Sequence, residues 1–200
     1  MFADIQQVIK KMDFNTILAD RKNELEVLTA FIQEKKNSDS PILLNFICTH
    51  NSRRSQFSQV WAQVASDYYR IPVQAYSGGV EETAFNERAV ASLERFGFMV
   101  TKKGETNPKY LVQWAEHSEP LIMFSKMYDD SINPSSGFAA IMTCSHADEN
   151  CPFVAGCAKR IPIRYEDPKN YDDTPIESAF YDYRSFEIAT ELFFLFSKIK

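Results

Sequence analysis

The sequence predicts an α/β fold in which an open parallel sheet carries helices on both faces. Short apolar runs alternate along the chain with segments of helical periodicity, and these runs lie at residues 42–47, 73–77, 98–100, 121–124 and 138–143. Each run is apolar almost throughout, as is typical of strands buried on both faces of a parallel sheet. A chain of 200 residues with 44% apolar residues is also long enough to bury one ordinary core.

Residues 1–40 are predicted to form a helical extension ahead of a main domain of residues 41–200. Apolar residues recur in this segment at spacings of three and four, in two stripes: Ile5, Val8, Ile9 and Met12, then Leu25, Leu28, Phe31 and Ile32. A polar linker that ends in Pro41 follows. We expect these helices to pack on the main domain or on a second copy of the chain.

The main domain is predicted to alternate strands with helices. After the first strand, residues 55–69 carry an inward-facing apolar stripe that includes Trp61. The strand at 73–77 is expected to stop at Gly78-Gly79, and a helix over 86–96 is expected to be capped by Asn86. A turn-rich segment occupies 129–137, and a closing helix is expected over 176–199.

The most informative stretch runs from Cys48 to Ser55, between the first strand and the first helix of the main domain. Such a loop points backbone N–H groups at whatever it encloses. Cys48 supplies a nucleophile, whose thiolate form the helix dipole favours, and Arg54 supplies a planar cation that grips two oxygens of one oxyanion. The sequence therefore predicts attack on a phosphate-like centre. The predicted oxyanion-binding loop consists of Thr49, His50, Asn51, Ser52, Arg53, Arg54 and Ser55.

A second cysteine segment follows the apolar run at 138–143. Since the carboxyl ends of parallel strands meet at one edge of an open sheet, Cys144 is expected near Cys48. Cys151 lies about two helical turns beyond Cys144, so a disulfide between them requires any intervening helix to unfold. The competing interpretation is a metal site of Cys144, His146, Cys151 and Cys157. Because the spacing lacks the paired short-interval ligands of zinc motifs, we predict no metal, and Cys157 is expected to serve packing.

Asp167-Pro168 follows a strand-like segment at 160–163. A loop carboxylic acid can protonate an oxygen that leaves a phosphate or arsenate, although Asp before Pro is also an ordinary turn.

The remaining composition restricts partners and location. With a net charge of −5, no apolar run of 18 residues and no leader pattern, the chain is expected to be cytoplasmic, without a nucleic-acid or membrane-binding face.

Together these segments resemble the thioredoxin-coupled arsenate reductases, which share the fold of the low-molecular-weight protein tyrosine phosphatases. The resemblance begins at about Ile42 and continues to the C-terminus. It is carried by residues 46–56, by Tyr76-Ser77-Gly78-Gly79, by residues 143–152 and by Asp167-Pro168. The first and last of these are similar to both families, whereas the Cys144 to Cys151 segment is similar only to the reductases. The resemblance implies that residues 41–200 form a catalytic domain.

What the resemblance implies is the reduction of arsenate to arsenite without a bound cofactor. Cys48 would attack an arsenate held by the loop amides and Arg54, while Asp167 protonates the leaving oxygen. Cys144 would then attack Cys48 and release arsenite, and Cys151 would attack Cys144. Thioredoxin, as external reductant, would reduce the resulting Cys144–Cys151 disulfide.

Two alternatives stay open. A protein tyrosine phosphatase needs only Cys48, Arg54 and Asp167 and hydrolyses phosphotyrosine through a cysteinyl-phosphate. A non-enzymatic redox sensor or anion-binding module would use the same loop while residues 1–40 engage a partner or another copy of the chain. The loop departs from the family pattern at His50, where Gly is usual, and at Arg53, where the reductases often have Cys.

Overall fold

The computed structural model describes residues 1–150 and 153–200, and it confirms the parallel α/β fold. Two short 3₁₀ turns, at Phe14–Thr16 and Pro168–Tyr171, supplement the regular elements. In chain order those elements are α1 (Ala3–Lys10), α2 (Ala19–Asn37), β1 (Ile42–Cys48), α3 (Arg54–Tyr69), β2 (Val73–Gly79), α4 (Glu87–Arg95), β3 (Met99–Lys103), β4 (Lys109–Gln113), β5 (Leu121–Met123), β6 (Ala139–Met142), α5 (Ser145–Asn150), β7 (Lys159–Pro162) and α6 (Glu177–Ser197).

The central sheet has four parallel strands in the order β2-β1-β6-β7. β1 lies in the interior of this sheet and pairs with β2 along its whole length, so that its last residue, Cys48, is opposite Gly79. On its other side β1 pairs with β6, which ends at Met142 opposite Ile47. The carboxyl ends of β1, β2 and β6 therefore meet at one edge of the sheet, and Cys144 lies just beyond it.

Helices cover both faces of the sheet, as predicted, but the apolar core on one face is larger than the core on the other. α3 packs on β1, β2 and α6 on one face, and the largest core surrounds Trp61 there, whose indole makes edge-to-face contacts with Phe96, Phe98 and Phe193. The opposite face carries the shorter α5 and a smaller apolar cluster, to which Ile47, Cys48, Phe138, Met142, Cys144 and Ala147 belong. The loop that follows β1 thus lies between two cores.

The extension of residues 1–40 packs on the rest of the chain. Leu25, Leu28, Phe31 and Ile32 of α2 are all buried in the large core, where α2 contacts α6 and β7. The Arg21 guanidinium donates two hydrogen bonds, of 2.8 and 2.9 Å, to the buried Glu191 carboxylate of α6. The apolar stripe of α2 is therefore buried within this chain. The division at residue 40 and self-association through these helices stay predictions.

The apolar runs near residues 98–100 and 121–124 do not join the central sheet. They form β3 and β5, which flank β4 in a separate antiparallel sheet. The sequence did not indicate β4, because only three apolar residues lie between the polar Lys109 and Gln113. The chain reverses direction before β4 with positive φ at Gly104 and Asn107. A run of three apolar residues does not reveal which sheet it enters.

Asn86 and the Gly78-Gly79 pair test two of the predicted local boundaries. Asn86 caps α4, because its side-chain oxygen accepts a 3.0 Å hydrogen bond from the Arg88 amide. β2 continues through Gly78-Gly79 instead of stopping before them, since both glycines keep the extended pairing with Ile47 and Cys48. Within residues 1–150 and 153–200, no helix is long and apolar enough to cross a membrane.

Candidate active site

The backbone of the loop between β1 and α3 turns its carbonyl groups outward. The Thr49 carbonyl accepts a 2.8 Å bond from the Glu81 amide, and the Ser52 carbonyl accepts a 3.0 Å bond from the Asn86 amide. In the described part of the chain, no acceptor faces the amide N–H groups of residues 49–53. A row of such N–H groups ahead of a helix N-terminus is an arrangement suited to an oxyanion.

Asn51 organises the interior of the loop. It is fully buried and has a φ of 46°, a left-handed conformation that Asn tolerates better than most residues. Its amide nitrogen donates a 2.8 Å bond to the Ser55 hydroxyl, and its oxygen accepts a 3.1 Å bond from the Lys126 backbone amide. Ser55 Oγ in turn lies 3.0 Å from Cys48 Sγ. Ser55 therefore contacts the thiol and does not cap α3.

Gly79 lets β2 approach the loop closely. A Cβ atom at this position would lie 2.8 Å from the Asn51 nitrogen and 2.9 Å from the Thr49 carbonyl oxygen. Any side chain would push on the backbone of the loop, which cannot give way as a flexible side chain can. Gly78 is equally restricted, because its Cβ would lie 2.3 Å from the Tyr128 Cα. The Gly-Gly pair thus allows β2 to lie close to the backbone of the loop and of Tyr128.

Arg54 is the first residue of α3, and its side chain meets the loop that contains Asp167. Nη2 donates a 2.6 Å bond to Asp167 Oδ2, and Nη1 donates a 3.0 Å bond to the Tyr165 carbonyl. Asp167 also accepts a 3.1 Å bond from the Lys169 amide through Oδ1, which fixes the start of the 3₁₀ turn. The structure therefore brings Arg54 and Asp167 together although they are far apart in the sequence.

Arg53 and His50, the two departures from the family pattern, have side-chain partners outside the loop, and Arg53 Nε also lies 4.0 Å from Asp167 Oδ1. Arg53 Nε donates a 2.7 Å bond to the Tyr181 hydroxyl, which donates a 2.8 Å bond to Asp172. Burial raises the pKa of Tyr181, so the phenol stays a neutral donor to that carboxylate. The His50 ring lies 3.2 Å from the exposed Glu81 carboxylate. His50 is not among the residues with positive φ, so its Cβ does not strain the turn.

Cys144 lies beside this loop. Its Sγ is 3.5 Å from the Thr49 hydroxyl and accepts a 3.4 Å bond from the Ala147 amide. The same Thr49 hydroxyl lies 3.3 Å from Nδ1 of His146, the second residue of α5. Cys144 is buried, as is Cys48. The predicted third cysteine, Cys151, lies outside the described residues, so its distance from Cys144 is not part of this geometry.

Asp148 anchors α5 to the sheet edge. Its buried carboxylate pairs with Arg160 of β7 and accepts a 2.7 Å bond from Nε of Arg164. These contacts hold the segment that begins at Cys144 against the end of β7. Among residues 1–150 and 153–200, no three His, Cys, Asp or Glu side chains lie close enough together to hold a metal ion. Cys157 packs at the margin of the smaller apolar cluster.

Several curated relatives of this chain are named arsenate reductases. Arsenate reductase 2 of Staphylococcus epidermidis is 29% identical over 124 residues, which cover 62% of this chain and 76% of that protein. Arsenate reductase of Staphylococcus aureus matches to the same extent. A low-molecular-weight protein tyrosine phosphatase from T. tengcongensis has the same fold, with a TM-score of 0.50 and 17% identity over 79% of this chain and 99% of that one. The chain is thus similar in sequence to arsenate reductases and has the fold of the low-molecular-weight phosphatases. No family model matches it.

The similarity to arsenate reductases supports an enzyme, and the fold adds site residues that the sequence did not reveal. Tyr165 accepts a hydrogen bond from Arg54 through its backbone carbonyl. Because every residue has such a carbonyl, the residue type does not indicate this contact. Lys126 is buried behind the loop, and burial lowers the pKa of its ammonium group to about 8. The sequence around Tyr181 and Asp172 does not indicate that these residues lie near the loop. Only the packing of α6 against the loop brings them to Arg53.

Proposed function

We propose that this protein reduces arsenate to arsenite through a relay of three cysteines. The observation that carries the proposal is the position of Cys144, whose Sγ lies 3.5 Å from the hydroxyl of the loop residue Thr49. A second buried thiol beside the loop has no role in phosphate ester hydrolysis. It does have a role in removing an arsenic adduct from Cys48.

In the first step the Cys48 thiolate attacks arsenate in the loop. The N–H groups of residues 49–53 and the Arg54 fork receive the negative charge of the oxyanion. Arg54 is paired with Asp167 at 2.6 Å, and an entering oxyanion competes with that carboxylate for the guanidinium. Asp167 then protonates the departing oxygen, and an S–As bond replaces an As–O bond. Ser55, 3.0 Å from Cys48 Sγ, stabilises the attacking thiolate.

In the second step the Cys144 thiolate attacks Cys48 Sγ. An S–S bond forms, the S–As bond breaks, and its electron pair stays on arsenic, which leaves as arsenite. Cys151 then attacks Cys144, so that Cys48 departs as a thiolate and is ready for another turnover. The thioredoxin dithiol reduces the Cys144–Cys151 disulfide and is itself oxidised. Each exchange moves the disulfide away from the loop.

The test is arsenate-dependent NADPH oxidation with thioredoxin and thioredoxin reductase. We expect turnover by the wild type and none by Cys48→Ser, Cys144→Ser or Cys151→Ser. Cys157→Ser is the matched control and should keep near wild-type turnover. Peptide mass spectrometry after one turnover should find Cys144 joined to Cys151. Unimpaired turnover in Cys144→Ser would contradict the relay.

A phosphotyrosine phosphatase is the second candidate, because it needs only Cys48, Arg54 and Asp167, and Arg54 Nη2 lies 2.6 Å from Asp167 Oδ2. Hydrolysis of an aryl phosphate that far exceeds arsenate turnover and does not depend on Cys144 or Cys151 would favour this function. Modest phosphatase activity is expected under either proposal, because phosphate and arsenate are nearly isosteric. If folded, reduced protein has neither activity, a non-enzymatic anion-binding role gains support.

A further inference from the structure

The Thr49 hydroxyl lies between an imidazole and a thiol. Its oxygen is 3.3 Å from His146 Nδ1 and 3.5 Å from Cys144 Sγ. A hydroxyl group can donate one hydrogen bond and accept others, so it can link a proton donor to a proton acceptor. Thr49 and Cys144 are buried, whereas His146 is exposed to solvent. The three groups form a path from a buried thiol to the surface.

We propose that His146 is a positioning residue for Cys144. His146 takes up the thiol proton of Cys144 through the Thr49 hydroxyl before Cys144 attacks. This inference rests on the proposed function, since it concerns the second step of the relay. The Cys144 thiol donates its proton to Thr49 Oγ1 as the Thr49 hydroxyl donates its own to His146 Nδ1. One proton moves along the path, and the product is a Cys144 thiolate with an imidazolium.

The surroundings of Cys144 suit that product. After the transfer, Cys144 Sγ accepts a bond from the Thr49 hydroxyl and keeps the bond from the Ala147 amide, which is 3.4 Å long in the structure. Two hydrogen-bond donors thus face the sulfur on which the negative charge forms. The imidazolium forms on the exposed side chain, where water solvates it. The charge separation is therefore stabilised at both ends.

The first test compares two activities of His146→Ala in the full chain. Arsenate turnover requires Cys144 and should fall about tenfold at saturating arsenate, a modest effect for assisted proton removal. Aryl phosphate hydrolysis does not use Cys144, so the ratio of the two rates should fall by a similar factor. His117→Ala is the matched control, because His117 is an exposed imidazole in the turn after β4, and its ratio should not change.

Chemical rescue separates proton transfer from a structural role. Imidazole added to His146→Ala should restore part of the arsenate turnover, because the missing side chain is solvent-exposed, whereas it should not stimulate the wild type. His146→Gln, which can hydrogen bond to Thr49 without accepting a proton, should stay as slow as His146→Ala. Equal loss of both activities, or no response to imidazole, would overturn the proposal.

A second arm does not depend on arsenate. In Cys151→Ser, hydrogen peroxide oxidises the Cys48 thiolate to a sulfenic acid, and Cys144 then displaces hydroxide to form a Cys48–Cys144 disulfide. Adding His146→Ala should slow disulfide formation about tenfold without slowing sulfenic acid formation, with both products measured by mass spectrometry. If the wild type does not reduce arsenate, the proposed function fails while this arm still tests His146. Equal rates of disulfide formation would refute its role.

Discussion

Replacing Asn51 with alanine should destabilise the protein by about 3 to 4 kcal/mol. The substitution removes the bonds to Ser55 and to the Lys126 amide and leaves that buried amide without an acceptor, which together cost roughly 2 to 3 kcal/mol. Because Asn51 has a φ of 46°, alanine pays about 1 kcal/mol more for the left-handed conformation. For a chain of this length the melting temperature should fall by about 10 °C.

Asn51→Gly is the control that separates these contributions. Glycine loses the same hydrogen bonds but adopts the left-handed conformation freely, so it should recover up to about 1 kcal/mol relative to alanine. The assay is urea denaturation followed by circular dichroism, together with aryl phosphate hydrolysis. Both variants should lose about tenfold in rate, since Ser55 no longer has a fixed orientation toward Cys48. A destabilisation below 1 kcal/mol in Asn51→Ala would refute the reasoning.

Three further substitutions test other contacts. Asp167→Asn should lower the turnover of aryl phosphates about 100-fold, most strongly for poor leaving groups, because the proton donor beside Arg54 is lost; an equal effect on good and poor leaving groups would contradict this. His50→Gly should change turnover and KM less than about twofold in steady-state assays, since the ring faces Glu81 outside the loop. Lys126→Met should be more stable than wild type at pH 7 by up to about 3 kcal/mol. Burial lowers the pKa of Lys126 to about 8, so the unfolded state binds more protons between pH 8 and 10.5, and wild-type stability should rise with pH there until the advantage of the variant disappears. Denaturation of both proteins at pH 7, 9 and 10 measures this difference, and a constant difference would contradict it.

The loop could be predicted from the sequence because its chemistry is local. A buried strand, Cys48, a polar turn and Arg54 follow one another within a few residues, and the strand-to-helix connection fixes their geometry. The proximity of Cys144 also followed from local signals, since a parallel strand that ends just before it must end at the same edge of the sheet. The structure agrees with that placement through the contact with Thr49.

Contacts between distant segments could not be predicted in this way. Arg54 and Asp167 are 113 positions apart, and the sequence did not predict the hydrogen bond between them; only the resemblance to a known family implied that both act at one site. The path through Thr49 to His146 depends on side-chain directions that no periodicity encodes. The sequence does not indicate β4, because its outward-facing residues include Lys109 and Gln113 and its pattern resembles a polar connection. Short strands at an exposed sheet are specified mainly by their pairing partners.

Arg21 joins three segments that are distant in the sequence. It lies in α2, pairs with Glu191 of α6, stacks over the Tyr165 ring at 4.8 Å and donates a 3.1 Å bond to the Arg164 carbonyl. Tyr165 is also the residue whose carbonyl holds Arg54. We therefore expect the extension and the Asp167 loop to open as one cooperative unit, so that hydrogen exchange should find α2 and residues 163–168 gaining and losing protection together. Local opening of α2 would in this way reach Asp167, the proposed proton donor.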